Sequence, residues 1–281
     1  MDREPSASQP ASPAALAPHE ALIARALETA IANKTISVHF QPIIRLSDGS
    51  IDGFEALARW RHSEQGDIPP DIFVPIAEAT GQIVALGLLV LEQALKEARG
   101  WPRDVSLSVN VSPRQIAEPH HATEMLALIL KSGIAPHRLH LEATEGLLLE
   151  PDQATLHFLS RMRREGVSFA LDDFGTGYSS LAYLDQFPFA RIKLDKAFAQ
   201  RSANAGRSAA IRKAVSDLAA ALDMDVIAEG LETASQVADA VAAGCAFGQG
   251  YFFSRPVPAA MVRDLLVHQF GKDALPPIEA E

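Results

Sequence analysis

Cysteine, long apolar runs and basic residues are all scarce in this sequence of 281 residues. The single cysteine, Cys245, excludes an intrachain disulfide and suits a reducing compartment. The longest apolar run, residues 83–91, is far shorter than the roughly 20 residues that span a bilayer. Residues 1–5 also lack the basic segment that opens a signal peptide.

Acidic residues outnumber basic ones. Lys and Arg number 25 against 35 Asp and Glu, and the formal net charge is −10. General binders of nucleic acids or anionic membranes present a basic surface, so this charge disfavours both classes. Together these features predict a soluble, cytoplasmic protein without DNA, RNA or membrane contacts.

Composition divides the chain into one long domain and two tails. Residues 1–18 are rich in Ala, Pro and Ser and show no periodicity, which predicts a disordered tail or linker. The Pro-rich and acidic residues 273–281 predict a frayed C-terminal tail. Residues 19–272 are expected to fold as a single domain.

Strand patterns alternate with helical patterns through this domain, which favours parallel strands joined by right-handed crossovers. Seven or eight such units in about 250 residues fit a closed (β/α)₈ barrel better than an open sheet. No dinucleotide fingerprint follows the first strand, which weakens the Rossmann alternative. Strands are predicted at residues 37–44, 51–60, 105–110, 138–142, 166–171, 190–195 and 225–229. Helices are predicted at residues 19–33, 73–78, 83–98, 122–131, 152–164, 206–222, 234–243 and 258–269.

Polar side chains stand near the carboxyl ends of most of these strands, where active sites of barrel enzymes lie. Each one alone is explained by a satisfied polar group or a solvated turn, but several carboxylates on one face would repel one another without cations. Oxygen ligands without sulfur select Mg²⁺, Mn²⁺ or Ca²⁺, and a shared carboxylate suits a two-metal centre acting on a phosphate ester. The residues are Glu55, Asn110, Glu142, Asp172, Asp173, Lys193, Glu229 and Gln249.

Two other interpretations of single motifs are weaker. Asp173-Phe174-Gly175 also occurs in protein kinases, but no Gly-rich loop or His-Arg-Asp catalytic loop accompanies it here. His120 and His121 lack further ligands at metal-binding spacing.

Residues 53–59, Gly-Phe-Glu-Ala-Leu-Ala-Arg, resemble the signature of the EAL-domain family, the cyclic di-GMP phosphodiesterases of bacteria. The resemblance runs from about Gln41 to Pro256 and covers nearly the whole predicted domain. Its other motifs are Phe73-Val-Pro-Ile-Ala-Glu78, Asn110-Val-Ser-Pro113, Glu142-Ala-Thr-Glu145, Asp172-Asp-Phe-Gly-Thr-Gly177, Lys193-Leu-Asp195, Glu229-Gly-Leu-Glu232 and Gln249-Gly-Tyr251.

The resemblance implies a TIM-like barrel whose first strand is antiparallel to the others. It also implies hydrolysis of cyclic di-GMP to linear pGpG with two Mg²⁺ or Mn²⁺ ions per site, and Ca²⁺ is expected to bind and inhibit. A homodimer and an upstream sensor domain are further expectations from the family.

Residue roles follow from the match of motifs. The resemblance implies one metal held by Glu55, Asn110, Glu142 and Asp172, and a second held by Asp172, Asp173 and Glu229. It implies a catalytic group of Glu55, Lys193, Glu229 and Gln249, in which Lys193 and Gln249 position the attacking water and Glu229 is a ligand, the general base or both. It implies substrate contacts by Gln41, Leu57, Arg59, Asp195 and Glu232, and a loop at residues 173–179 that Glu145 anchors.

Three hypotheses follow from the sequence. An active phosphodiesterase is favoured because the set of acidic, amide and lysine positions is complete. The alternative is a catalytically inactive receptor for cyclic di-GMP. An unrelated metal-dependent barrel with Lys193 as its base would leave the additional motifs unexplained.

Overall fold

A computed structural model describes residues 16–117, 119–147, 153–175, 187, 189–199 and 205–267. Residues 1–15 of the predicted N-terminal tail and all of the predicted C-terminal tail lie outside these ranges. The described strands are β1 (Ile36–Arg45), β2 (Ile51–His62), β3 (Gly66–Ile68), β4 (Ser106–Asn110), β5 (Leu139–Thr144), β6 (Ser168–Phe174), β7 (Arg191–Leu194), β8 (Asp225–Ala228), β9 (Phe247–Gly248) and β10 (Val257–Pro258).

Helices cover the outside of the sheet. They are α1 (Pro18–Ala32), α2 (Pro70–Thr80), α3 (Ile83–Ala98), α4 (Pro113–Ala117), α5 (Pro119–Ser132), α6 (Gln153–Arg164), α7 (Lys196–Ala199), α8 (Ala205–Ala221), α9 (Ala234–Ala242) and α10 (Ala259–Val267). Among the described residues, no helix combines the length and the apolar character needed to cross a membrane.

The sheet closes into a barrel of eight strands in the order β1, β2, β4, β5, β6, β7, β8 and β9, with β9 returning to β1. Strand β1 is antiparallel to both of its neighbours, β2 and β9. The other neighbouring strands in the barrel are parallel. The predicted barrel with an antiparallel first strand is therefore confirmed.

The main hydrophobic core lies between the barrel and the outer helices. Helix α3 shows how the sequence builds it, because its apolar residues recur on nearly every side and many of them are buried. Trp101, just after α3, packs its ring against Phe40 of β1 and Phe54 of β2, with centroid distances of 5.4 and 5.0 Å. Cys245 is buried, as the apolar run around it indicates.

A smaller apolar cluster fills the middle of the barrel itself. It consists of Ile43, Ile227 and Phe247, and it is separate from the main core. Ile227 pairs directly with Lys193 across the parallel strands β7 and β8, so the two side chains lie on the same face of the sheet. This cluster separates the charged groups at the two ends of the barrel interior.

A β-bulge places a buried aspartate at the amino-terminal end of the parallel strands. Ile43 pairs with Gly53 but Ile44 pairs with Ile51, so Asp52 is the extra residue of the bulge. Its carboxylate accepts a hydrogen bond from Arg191 at 2.7 Å and a second one from Arg45. Asp52 and Arg191 are both buried, so this ion pair joins strands that are distant in sequence where solvent screening is weak.

We expect Asp52→Ala to lower the free energy of unfolding by about 3–5 kcal/mol, because it leaves the buried Arg191 guanidinium without its carboxylate. Urea unfolding measures this change. The control is Asp217→Ala, which removes the exposed ion pair with Lys213 on α8 and should cost less than about 1 kcal/mol. Equal losses in the two variants would contradict a stabilising role for the buried pair.

Candidate metal and catalytic site

The barrel brings the predicted polar residues to its carboxyl-terminal mouth. Asn110, the last residue of β4, pairs with Glu142 of β5. Gln41 of β1 lies directly opposite Glu55 of β2, because these two strands are antiparallel. Glu229 and Gln249 follow immediately after β8 and β9. Residues that are up to about 200 positions apart in the sequence therefore meet at one place.

Lys193 is at the centre of this mouth. Its side chain is 1% exposed, and its ammonium nitrogen lies close to one oxygen from each of four carboxylates. The distances are 2.6 Å to Glu142, 2.9 Å to Glu229, 3.2 Å to Asp172 and 3.3 Å to Glu55. A buried cation at this position shows that the four carboxylates converge on a common volume.

Each charge in this cluster stabilises the opposite one. Burial alone would lower the pKa of Lys193, but Glu142, Glu229, Glu55 and Asp172 outweigh it and raise the pKa well above its ordinary value. Lys193 is therefore held as an ammonium group. Its single positive charge does not balance four acids, so the net charge of the cluster remains negative.

That excess changes the protonation of the acids. Burial raises the pKa of Glu142 well above its ordinary value, and repulsion from Glu55 and Asp172 adds to the effect of burial against the attraction of Lys193. Burial likewise raises the pKa of Glu229 to about 7. The pKa of Asp173 is raised by burial and by the adjacent Asp172. Without a further cation, some of these groups retain protons near neutral pH.

Glu55 differs because amide donors surround it. Burial would raise its pKa, but Lys193 and the hydrogen bonds from Gln249 and Asn110 lower it. Asn110 Nδ2 donates to Glu55 Oε1 at 2.7 Å, and Gln249 Nε2 donates to Glu55 Oε2 at 2.7 Å. Gln249 Nε2 also donates to Gln41 Oε1 at 3.1 Å. This network fixes the orientation of Glu55 and keeps it ionised.

Asp172 and Asp173 lie in a second bulge, which explains how neighbouring residues serve one site. Side chains normally alternate between the faces of a strand, but the pairing of β6 with β7 shifts register between Leu171 and Phe174. Asp173 has a φ of 55°, and its backbone N–H donates to Asp172 Oδ1 at 3.0 Å. Carboxylate oxygens of Asp172, Asp173 and Glu229 come within 4.8 Å of one another.

This donor set fits divalent cations. Three carboxylates within 4.8 Å of one another supply the hard oxygen ligands that Mg²⁺ and Mn²⁺ prefer. Within the described residues, Glu142 Oε1 and Gln249 Oε1 are buried acceptors without a hydrogen-bond donor. Buried oxygens of this kind are costly unless a donor, a water or a cation satisfies them.

A cleft of about 360 Å³ opens above the carboxylates. Gln41, Leu57 and Glu232, which the sequence predicts as substrate contacts, lie in its lining. Two lining residues, Lys196 and Tyr251, were not predicted to have a role. A lysine after a strand and an aromatic residue in a glycine-rich turn are both common at protein surfaces, so residue type alone assigned neither a role, although Tyr251 ends one of the family motifs.

The remaining predicted residues lie at the edges of the site. Arg59 is partly buried and donates to the carbonyl of Ala58 at 2.8 Å. Asp195 accepts a hydrogen bond from the backbone N–H of Ala197 at 2.8 Å, at the start of α7.

Glu145 connects the β5 end of the mouth to the loop after β6. Its Oε1 accepts a hydrogen bond from the N–H of Gly175 at 2.8 Å. Of the loop that Glu145 is predicted to anchor, residues 176–179 lie outside the described part of the chain.

The sequence profile of the EAL domain matches residues 24–256. The chain belongs to the EAL domain family. One relative is cyclic di-GMP phosphodiesterase NbdA of Pseudomonas aeruginosa, which is 37% identical over 259 residues, or 90% of this chain and 33% of NbdA. This EAL domain chain spans about a third of the length of NbdA and of several other curated relatives.

Solved structures of EAL domains share the barrel. The PaMucR phosphodiesterase in its c-di-GMP complex is 35% identical with a TM-score of 0.81, and the match covers 86% of this chain and 99% of that chain. BlrP1 of Klebsiella pneumoniae, solved as a manganese/cy-diGMP complex, is 26% identical with a TM-score of 0.69, covering 80% of this chain and 56% of that chain. The family and the fold inferred from the sequence are both confirmed.

We expect the stability of the EDTA-treated protein to fall as pH rises from about 5 to about 8. The folded state keeps a proton on Glu229 up to a pKa of about 7, whereas the unfolded chain loses it near the ordinary value of 4.5. The unfolded state therefore binds fewer protons in this window, and one such group contributes a slope of at most about 1.4 kcal/mol per pH unit.

Urea unfolding at several pH values checks this expectation. Glu229→Gln should flatten the slope, since it removes the titrating group while keeping the shape of the side chain. Identical slopes in the variant and the wild type would show that Glu229 does not titrate as described.

Proposed function

We propose that this chain is a metal-dependent phosphodiesterase that hydrolyses cyclic di-GMP to linear 5′-pGpG and so lowers messenger levels in bacterial signalling. The observation that carries the proposal is the convergence of four carboxylates on the buried Lys193 at the mouth of an EAL domain barrel. NbdA, which is named as a cyclic di-GMP phosphodiesterase, supports the substrate.

The residues that would hold two Mg²⁺ or Mn²⁺ ions fall into two groups that share Asp172. Glu55, Asn110, Glu142 and Asp172 form the first group, and Asp172, Asp173 and Glu229 form the second. When bound, such ions lower the pKa of a coordinated water and offset charge that develops on a phosphate ester. We expect Ca²⁺ to bind the same oxygens and inhibit, because it accepts longer and less regular coordination.

In the reaction, water attacks phosphorus, the bond from phosphorus to the 3′ oxygen breaks, and that oxygen takes up a proton to leave a 5′-phosphate. Glu229 serves as a ligand of the second metal ion, as the general base that accepts the proton of the attacking water, or as both. Lys193 is held at a fixed position among the carboxylates and would orient the attacking water when metal ions share those carboxylates. Gln249 Oε1 orients the water, while Gln249 Nε2 is held by Glu55 and Gln41.

We propose substrate contacts around this centre, of which Gln41, Leu57 and Glu232 belong to the lining of the cleft. Arg59 suits a phosphate oxygen because its guanidinium offers several donors in a plane. Gln41 and Leu57 contact the nucleotide from the neighbouring strands β1 and β2. Asp195 and Glu232 lie beyond the carboxylate centre and are assigned to the guanine end, where carboxylates accept hydrogen bonds from ring N–H groups.

The proposal also covers the oligomeric state of the protein and the source of its regulation. Residues 19–272 form the phosphodiesterase domain, which receives its input from an upstream sensor domain and works as a homodimer in the cytoplasm. Glu145 links dimerisation to the metal centre through the loop that begins at Asp173, because it holds the N–H of Gly175.

Chromatography of cyclic di-GMP after incubation with the protein tests the proposal. In Mn²⁺ or Mg²⁺ we expect conversion to pGpG, and in EDTA we expect none. Glu55→Ala should lower turnover by at least about 100-fold, because it removes a metal ligand and the partner of both Asn110 and Gln249. Glu64→Ala, at an exposed position in the turn between β2 and β3, is the matched control and should keep the wild-type rate.

Two results would overturn the proposal. Folded protein that binds cyclic di-GMP tightly but releases no pGpG with any metal would make it a receptor. Wild-type turnover by Glu55→Ala would remove Glu55 from the metal centre.

A further inference from the structure

The cleft above the carboxylates has an unbalanced charge. Among its lining residues, Glu55, Glu229 and Glu232 are acidic, and Lys196 is the basic one. The proposed substrate is an anion with two phosphodiester groups, so the acidic lining repels it unless cations offset the charge. Metal ions at the carboxylate centre would neutralise the deep part of the cleft, but Glu232 lies outside the proposed metal ligands.

Lys196 is available to bind an anion. It is exposed, and within the described residues its ammonium group makes no ion pair or hydrogen bond. Lys193, three residues earlier, is in the opposite situation because it is buried and engaged by four carboxylates. Lys196 is therefore the lysine of this segment that can approach a ligand.

The backbone of Lys196 is held in place by its neighbours. Gly230 has a φ of 64°, and a Cβ atom there would lie 2.4 Å from Lys196 Cβ. The absence of a side chain at Gly230 thus lets the start of α7 pack directly against the turn that follows Glu229. Asp195 caps the same turn through the N–H of Ala197. The side chain of Lys196 consequently begins from a fixed point in the cleft wall.

We propose that Lys196 is a substrate-binding residue that contacts a phosphate oxygen of the bound cyclic dinucleotide. The inference rests on the proposed function and assigns a further residue to it. Lys196 acts as a flexible point charge, which suits a phosphate group without requiring a planar geometry. It offsets Glu232 at the outer part of the cleft and takes no part in holding metal ions.

Steady-state kinetics with cyclic di-GMP and Mn²⁺ tests the inference. We expect Lys196→Met to raise KM about tenfold, in line with the loss of one charge-assisted hydrogen bond, while kcat changes less than about twofold. The dependence of kcat/KM on salt should also weaken, since one attractive charge is gone. Lys196→Arg should restore most of the affinity. Lys213→Met, on α8 outside the cleft, is the matched control and should match the wild type.

A second neutral variant, Lys196→Gln, guards against a local effect of methionine, and thermal melting verifies folding. Mn²⁺ affinity measured without nucleotide should be the same in all variants. An unchanged KM in both neutral variants, a fall in kcat alone, or a loss of Mn²⁺ affinity would each overturn the assignment.

The wild-type protein separates this test from that of the proposed function. If it binds cyclic di-GMP without hydrolysis, only the enzymatic proposal fails, and a tenfold weaker Kd in Lys196→Met still supports the inference. If it neither binds nor hydrolyses the nucleotide, both fail together.

Discussion

The ammonium of Lys193 among three buried carboxylates and the partly buried Glu229 is the interaction on which the rest of the site depends. A lone buried lysine would lose its proton, and lone buried carboxylates would gain one, because burial penalises charge. Together they keep Lys193 and Glu55 charged at distances of 2.6–3.3 Å between the ammonium and the carboxylates, whereas the pKa values of Glu142 and Glu229 stay raised because one cation does not balance four acids. The closed barrel makes this arrangement possible, since Glu55, Glu142 and Asp172 belong to three different strands and Glu229 follows a fourth.

The interior of the barrel holds one charged cluster at each end, with apolar side chains between them. The mouth is acidic around Lys193, whereas the opposite end carries Asp52 with two arginines. Ile227 and Phe247 lie between them, and the guanidinium of Arg191 stacks over the ring of Phe247 at 4.4 Å. The two ends differ in charge balance: one pairs Asp52 with two arginines, and the other keeps an excess of negative charge that suits added cations.

Sequence patterns predicted the barrel and most site positions because carboxyl ends of parallel strands must meet on one face. The positions of Asn110 and Glu142 in the site follow from this rule alone. The pattern placed Asp172 and Asp173 at a strand end but did not predict the bulge there, because strand pairing decides the bulge. The buried ion pairs of Asp52 were not predicted either, because its bulge also depends on strand pairing. Lys196 was missed because an exposed lysine is ordinary in sequence, and its place in the cleft depends on its packing against Gly230.

The most direct test of the account is the free energy of unfolding of Lys193→Met in EDTA and in saturating Mn²⁺. If Lys193 is the cation of the carboxylate centre, the variant in EDTA should be less stable than the wild type by about 3–5 kcal/mol. Mn²⁺ would supply charge to the same oxygens and bind the variant more tightly, so most of that deficit should disappear in Mn²⁺. A deficit of equal size in both conditions would contradict the claim that lysine and metal share these carboxylates.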